Sequence, residues 1–170
     1  DFDAWCLQPE CISFSDGTSL DVEPPSVDPD PSRPPDRSGW YRSDVTISWL
    51  VTDPAPSVGL GGLPEATAVS EEGTAILISS GEVCDLAGNC AEGTATLSLD
   101  FSGPTVSSKI DPSPNDEGWT IEPAVVSFTC TDELSGLDVC PEPVRVEIDG
   151  AELQVNGTAS DVAGNETTVS

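Results

Sequence analysis

A five-residue motif, Asp-x-Ala-Gly-Asn, occurs twice in this chain, at residues 85–89 and 161–165. Alternating apolar and polar residues precede and follow each copy, which is the pattern of a β-hairpin. An Asp side chain accepts hydrogen bonds from backbone amides two residues on, Gly adopts a positive φ without a Cβ clash, and Asn tolerates the left-handed region. The motif therefore predicts two hairpin turns. Their defining residues are Asp85, Gly88 and Asn89 in the first and Asp161, Gly164 and Asn165 in the second.

The motif belongs to a longer internal repeat. With an offset of 79 residues, Pro25 aligns with Pro104 and Gly39-Trp40 with Gly118-Trp119, without a gap. The chain of 170 residues therefore contains two modules of roughly 70 to 80 residues each. The predicted divisions are an amino-terminal strand segment at 1–22, a first module at 23–101 and a second module at 102–170.

Apolar residues recur with the period of a β-strand, and no window has a helical period. In the first copy Val45, Ile47, Trp49 and Val51 alternate with more polar residues, so they form the predicted core face of a strand. The aligned residues of the second copy are Ala124, Val126, Phe128 and Cys130. Strands are also predicted at 74–83 and 151–160, before the two turns, whereas the prolines between 23 and 38 favour an edge strand or an extended entry segment. This profile is typical of an all-β sandwich.

These residues resemble a known family. Gly-Trp followed by a Val-rich strand, then Thr131-Asp132, Leu134-Ser135-Gly136 and Asp-x-Ala-Gly-Asn, is similar to bacterial immunoglobulin-like (Big-type) surface repeats. The resemblance covers residues 23–170, although the first copy lacks the Leu-Ser-Gly element. It implies two tandem immunoglobulin-like β-sandwiches that act as spacer or adhesive modules outside the cell. It implies no catalytic residues.

The cysteines fall in near pairs, and short spacing favours three local disulfides among the 15 pairings that six cysteines permit. The chain has no C-x-x-C redox motif and no His for a mixed zinc site. Structural disulfides in an oxidising compartment are therefore expected, since modules of this size commonly need cross-links. The predicted pairs are Cys6 with Cys11, Cys84 with Cys90, and Cys130 with Cys140.

The chain is strongly acidic, with 31 Asp and Glu against five Lys and Arg and a formal net charge of -26. This charge repels nucleic acid and anionic lipid, which excludes both as partners. No apolar run approaches the roughly 20 residues that cross a bilayer, so membrane insertion is not expected. A solvated surface, life at high salt and the binding of divalent cations are the alternative explanations for the charge.

The sequence gives little support for catalysis or for a bound cofactor. Without His, no Ser-His-Asp or Cys-His arrangement exists, so we expect no enzyme and no cofactor other than calcium. Asp132, Glu133 and Asp138 crowd one loop and are candidate Ca²⁺ ligands, although ordinary surface charge explains them as well. Asn156 and Asn165 begin glycosylation acceptor triplets, which also arise by chance.

The amino-terminal segment resembles part of a module. Residues 11–22 align with 90–101, the last strand of the first copy, whereas the last strand of the second copy stops about six residues earlier than that of the first. One hypothesis is that this segment completes the second module of another subunit by strand addition, giving a head-to-tail homopolymer. The alternative is that the sequence is cut from a longer array of neighbouring modules. The donor residues would be Ile12, Phe14, Leu20 and Val22.

The expected function is structural: a subunit or stalk segment of an extracellular, cell-surface filament that resembles a pilus. A first alternative is an adhesin segment that binds a glycan or a host protein through the loop at residues 53–73. A second alternative is an accessory module of a secreted enzyme. Fibre formation by the purified chain favours the filament, and saturable ligand binding by a monomer favours the adhesin.

Overall fold

In the computed structural model, residues 20–55 and 58–170 are described, and they form an all-β structure. The described residues contain no helix, so none is long and apolar enough to cross a membrane. The strands are β1 (Ser26–Pro31), β2 (Trp40–Tyr41), β3 (Val45–Thr52), β4 (Thr67–Val69), β5 (Gly73–Cys84), β6 (Cys90–Leu99), β7 (Thr105–Asp111), β8 (Ala124–Thr131), β9 (Leu137–Val139), β10 (Val144–Val146), β11 (Gly157–Asp161) and β12 (Glu166–Val169).

The strands form four small sheets, two from each copy of the repeat. The first copy contributes the sheets β1-β3-β4 and β2-β6-β5, and the second contributes β10-β8-β7 and β12-β11-β9. Strands β2 and β6 pair in parallel, and the other pairs are antiparallel. Antiparallel neighbours are expected where short connections join successive strands.

The two copies repeat the same strand register. In the first copy Ser26 pairs with Thr52, and in the second Thr105 pairs with Thr131 at the same 79-residue offset. Strand β1 contains two of the prolines and lies at the edge of its sheet, as predicted, because proline cannot donate to a second neighbour. The all-β prediction is therefore confirmed, and the sequence repeat extends to the pairing of the strands.

The main core lies in the first copy. Its buried cluster is centred on the predicted face of β3, where Val45 and Ile47 are almost fully buried. The second copy buries smaller residues at the corresponding positions, Ala124 and Val126. The other members of the first cluster are Tyr41, Val69, Leu97 and Leu99. A core of smaller side chains buries less apolar area and is expected to contribute less stability.

Two of the predicted disulfides lie among the described residues. Cys84 and Cys90 are joined across the β5–β6 hairpin, and Cys130 and Cys140 close the loop after β8. Both loops are short, with sequence separations of six and ten residues. Disulfides of this kind are typical of a non-reducing environment. The predicted Cys6–Cys11 pair lies outside the described residues.

The strand predicted at 151–160 is shorter than expected. Strand β11 begins only at Gly157, whereas β5 begins at Gly73 in the first copy. The difference follows from pairing, because β6 has ten residues and β12 has four. Among the described residues, no strand pairs with residues 149–156 as the second half of β6 pairs with β5, and a strand without a ladder partner is not stable.

Candidate functional site: two matched aspartate clusters

Both Asp-x-Ala-Gly-Asn motifs form the same hydrogen-bonded turn. In the second, Asp161 Oδ1 accepts from the backbone amides of Gly164 and Asn165 at 2.6 and 2.7 Å. Its Oδ2 accepts from Asn165 Nδ2 at 2.8 Å. Gly164 has a φ of 95°, a conformation that glycine adopts without a Cβ clash. The Asp and Asn side chains therefore fix the turn, as the motif predicts.

The first turn repeats this geometry. Asp85 Oδ1 accepts from the amides of Gly88 and Asn89 at 2.7 and 2.9 Å, and its Oδ2 accepts from Asn89 Nδ2 at 2.8 Å. The loop facing each turn is also alike: the carbonyl of Gly59 accepts from Leu86 at 2.9 Å, as that of Gly136 does from Val162 at 2.8 Å. The first copy thus makes this contact without the Leu-Ser-Gly element.

Each turn also binds the backbone that precedes its own copy. Asn165 Nδ2 donates to the carbonyl oxygens of Asp100 and Ser102, at 2.9 and 3.2 Å. Asn89 Nδ2 donates to the carbonyl oxygen of Asp21 at 3.1 Å. Asp21 and Asp100 are related by the 79-residue offset of the repeat. The Asn of the motif therefore joins successive units, a role that the turn prediction did not include.

Two three-aspartate clusters lie at these joints. Each residue of a cluster offers one carboxylate oxygen, and the three oxygens lie within 4.8 Å of one another. In both clusters one Asp lies in the segment before the copy, one directly follows β3 or the equivalent β8, and one belongs to the turn motif. The first cluster is Asp21, Asp53 and Asp85, and the second is Asp100, Asp132 and Asp161.

The second cluster is deeply buried. Asp100 and Asp161 are 0% exposed, and Asp132 is half-buried. Backbone amides satisfy part of their hydrogen-bonding capacity: Asp100 Oδ2 accepts from Ser135 at 3.0 Å, and Asp132 Oδ1 accepts from Gly136 at 2.6 Å. Within the described part of the chain, no Lys or Arg forms an ion pair with these three carboxylates. The cluster is thus a buried acidic site without a basic partner.

A cleft of about 270 Å³ lies beside this cluster. Asp100 and Asp132 line it, together with the nearby carboxylates of Glu72 and Glu133. Since its charged lining is acidic, the cleft suits a cation rather than an anion.

Two arginines of the first copy contact the second copy outside the cluster, at its turn and at β9. Arg42 Nη1 donates to the carbonyl oxygen of Gly164 at 2.8 Å. Arg37 forms an ion pair with Asp138 at 2.7 Å. Gly103, at the start of the second copy, packs against the same copy so closely that a Cβ there would lie 2.6 Å from Thr167 Oγ1. The joint between the two copies is therefore a built interface rather than a flexible linker.

The structure divides the three predicted calcium ligands. Asp132 lies in the second cluster, whereas Asp138 is paired with Arg37 and Glu133 lines only the cleft. The carboxylates that cluster with Asp132 are instead those of Asp100 and Asp161, which come from distant parts of the chain. Asp100 and Asp161 could have been found by applying the 79-residue offset and the turn motif to the aspartates.

Hydrogen bonds lower the pKa of two carboxyl groups in the first copy. Burial acts to raise the pKa of Asp85, but hydrogen bonds from the Asn89 side chain and from nearby backbone amides outweigh it, and the pKa falls below 3.8. For Asp36, the hydrogen bond from the Arg33 side chain is the main cause of a lowered pKa, and the backbone amide of Arg42 adds to it. Both groups favour the folded state in their ionised form.

The two candidate glycosylation residues differ in their surroundings. Asn156 is exposed, whereas Asn165 is half-buried and uses its Nδ2 atom in the joint. A glycan on Asn165 would be attached to the Nδ2 atom that donates these hydrogen bonds, and glycosylation of either residue stays a prediction.

The proposed donor residues lie at the edge of the described region. Leu20 and Val22 are 49% and 67% exposed and belong to no strand. Ile12 and Phe14 lie outside the described residues.

Comparison with known proteins adds no assignment: no protein-family model, curated protein or solved structure matches this chain. The immunoglobulin-like resemblance therefore stays a prediction from the motifs.

Proposed function

We propose that this chain is a structural segment of an extracellular fibre or stalk, built from immunoglobulin-like modules joined end to end. The observation that carries the proposal is the repeated joint, in which Asn89 binds the carbonyl of Asp21 as Asn165 binds the carbonyl of Asp100. A contact that recurs at the start of each copy is typical of an array whose units pack on their neighbours. The two disulfides support a location outside the reducing cytoplasm.

Among the described residues, β12 gives β11 a shorter ladder than β6 gives β5, which supports assembly through an added strand. In the first copy, residues 94–99 of β6 pair with the first half of β5 and bury Leu97 and Leu99. The second copy has no corresponding segment among the described residues, and Leu153 is 46% exposed there. Trp119 is also 54% exposed, whereas the aligned Trp40 is half-buried. An added strand would pair with residues 149–155 and cover these side chains.

The proposed donor is residues 11–22 of a second copy of this chain. This segment aligns with β6, whose second half has no equivalent among the described residues of the second copy, and its Leu20 and Val22 are exposed. The donor's Asp21 would remain in contact with its own first copy, as Asp100 does with the second copy. Each joint between subunits would then repeat the joint within a subunit, which gives an open head-to-tail fibre.

The test is the size of the purified full chain as a function of concentration, measured by light scattering and electron microscopy. We expect fibres that disappear in a Phe14→Asp variant and persist in a Ser13→Asp variant, which adds the same charge at the neighbouring position. Hydrogen exchange in residues 149–155 should slow when fibres form. A chain that stays monomeric at high concentration, or whose residues 149–155 exchange equally fast in every state, would overturn the proposal and favour an adhesin or accessory module.

A further inference from the structure

We propose that Asp100, Asp132 and Asp161 bind one Ca²⁺ ion at the joint, and that Asp21, Asp53 and Asp85 bind a second one at the equivalent position. This inference depends on the geometry of the joint within one chain and not on fibre assembly. It differs from the loop site predicted from the sequence, because only Asp132 is common to both.

The spacing of the carboxylates suits Ca²⁺. Ca²⁺ binds oxygen at roughly 2.3–2.6 Å, so two of its ligand oxygens lie at most about 5 Å apart. The three oxygens of each cluster lie within 4.8 Å of one another. Mg²⁺ binds oxygen at roughly 2.0–2.1 Å and demands near-ideal octahedral geometry, which three side chains from separate segments satisfy less readily. Bidentate carboxylates and waters would complete the six to eight ligands that Ca²⁺ takes.

Burial without a counter-charge points to a cation in the second cluster. Asp100 and Asp161 are 0% exposed, and the described residues place no Arg or Lys in an ion pair with either. Buried charges in proteins are generally paired or coordinate a metal. Asp100 and Asp132 also line the acidic cleft, whose charge attracts cations.

The first cluster supplies an independent observation. Asp21 Oδ2 is buried, yet it accepts no hydrogen bond from the described residues. A buried carboxylate oxygen without a donor is rare and requires an explanation. Asp21 contributes to the same cluster as Asp85, whose oxygens are occupied by the turn. A bound cation satisfies this oxygen, and no other group among the described residues does.

The origin of the ligands determines what the ion does. Asp100 belongs to the end of the first copy, whereas Asp132 and Asp161 belong to the second. An ion held by all three links the two copies and opposes bending at the joint. The equivalent ion would link the segment before residue 23 to the first copy through Asp21. Calcium would therefore control the stiffness of the array.

The experiment is calorimetric titration of the chelator-treated full chain with CaCl₂ and, separately, with MgCl₂. We expect two Ca²⁺ ions per wild-type chain and a higher melting temperature in Ca²⁺ than in chelator. Asp132→Asn should bind one ion, because it keeps an oxygen that can accept from Gly136 but loses the charge. Glu133→Gln removes the same charge from the neighbouring residue and should still bind two.

Folding of each variant is checked by circular dichroism in chelator, where Asp132→Asn and Glu133→Gln should match. Asp53→Asn, which alters the other cluster, should also bind one ion. Wild-type chain that gives neither heat nor a melting shift with Ca²⁺ would overturn the proposal. Equal losses in Asp132→Asn and Glu133→Gln, or equal affinity for Mg²⁺ and Ca²⁺, would do so too. If the chain binds two ions but stays monomeric, the calcium sites are supported although the proposed fibre does not form.

Discussion

Replacing Asn165 with Ala tests whether the motif acts as a joint as well as a turn. The Nδ2 group has two hydrogens and three nearby acceptors, the Asp161 carboxylate and the carbonyls of Asp100 and Ser102. Because two hydrogens form two hydrogen bonds at a time, we count one bond to the charged carboxylate and one to a neutral carbonyl. A bond to a charged group contributes about 1.5–3 kcal/mol and a neutral one about 0.5–1.5 kcal/mol. The substitution should therefore lower the free energy of unfolding of the second copy by about 2–4 kcal/mol.

The assay must measure the unfolding of each copy separately. Urea unfolding with pulsed hydrogen exchange and mass spectrometry gives a transition for peptides from each copy, and linear extrapolation gives the free energies. Asn156→Ala is the matched control, since Asn156 is exposed, and it should change stability by less than about 0.5 kcal/mol. The amide protons of residues 100–103 should also exchange faster in Asn165→Ala.

Two results would refute this reasoning. If Asn165→Ala lowers the free energy of unfolding no more than Asn156→Ala does, the side-chain amide does not stabilise the turn. If the second copy is destabilised but residues 100–103 keep their protection, the amide holds the turn alone and contributes nothing to the joint.

Other predictions concern packing and acid stability. A Cβ on Gly157 would lie 2.5 Å from Phe128 Cε1, so Gly157→Ala should destabilise the second copy by about 1–3 kcal/mol, measured by urea unfolding. Ile47 is 0% exposed, and Ile47→Ala should cost the first copy about 2–5 kcal/mol by the same measurement. The lowered pKa values of Asp36 and Asp85 contribute stability above the ordinary value of 3.8 that is lost as the pH falls through the lowered ones. We therefore expect the urea concentration at the unfolding midpoint, measured from pH 6 to pH 2, to decrease once the pH is below about 4. The decrease should be smaller in Asp36→Asn.

Local chemistry and the repeat predicted much of the fold. The Asp-x-Ala-Gly-Asn turns depend on side chains within five residues, and the alternation in β3 depends on one buried face, so both could be predicted from sequence. The edge position of β1 followed from its prolines, because they lack a backbone donor. Strand β11 was predicted too long because alternation says nothing about whether a partner strand is present.

The clusters could not be predicted from local sequence. Asp100, Asp132 and Asp161 are about 30 residues apart in the chain and meet only because three separate segments end at the same joint. In a chain with 31 acidic residues, nearness in sequence singled out Glu133 and Asp138 instead. The two clusters occupy equivalent positions of the repeat, so an alignment of the two copies identifies the three aspartates. The alignment alone does not show that the strand before each copy ends beside the turn.

The shared use of the motif aspartate links stability to the order of the modules. Asp161 fixes its own turn through Oδ1 and faces Asp100 of the preceding copy in the cluster, while Asn165 binds the backbone beside Asp100. A module of this design is fully bonded only when another segment precedes it. Stability in such an array is a sum of intrinsic and nearest-neighbour contributions, so loss of one joint weakens the following module more than the preceding one. The Asp and Asn of one motif per repeat therefore form both the turn and the connection to the preceding segment.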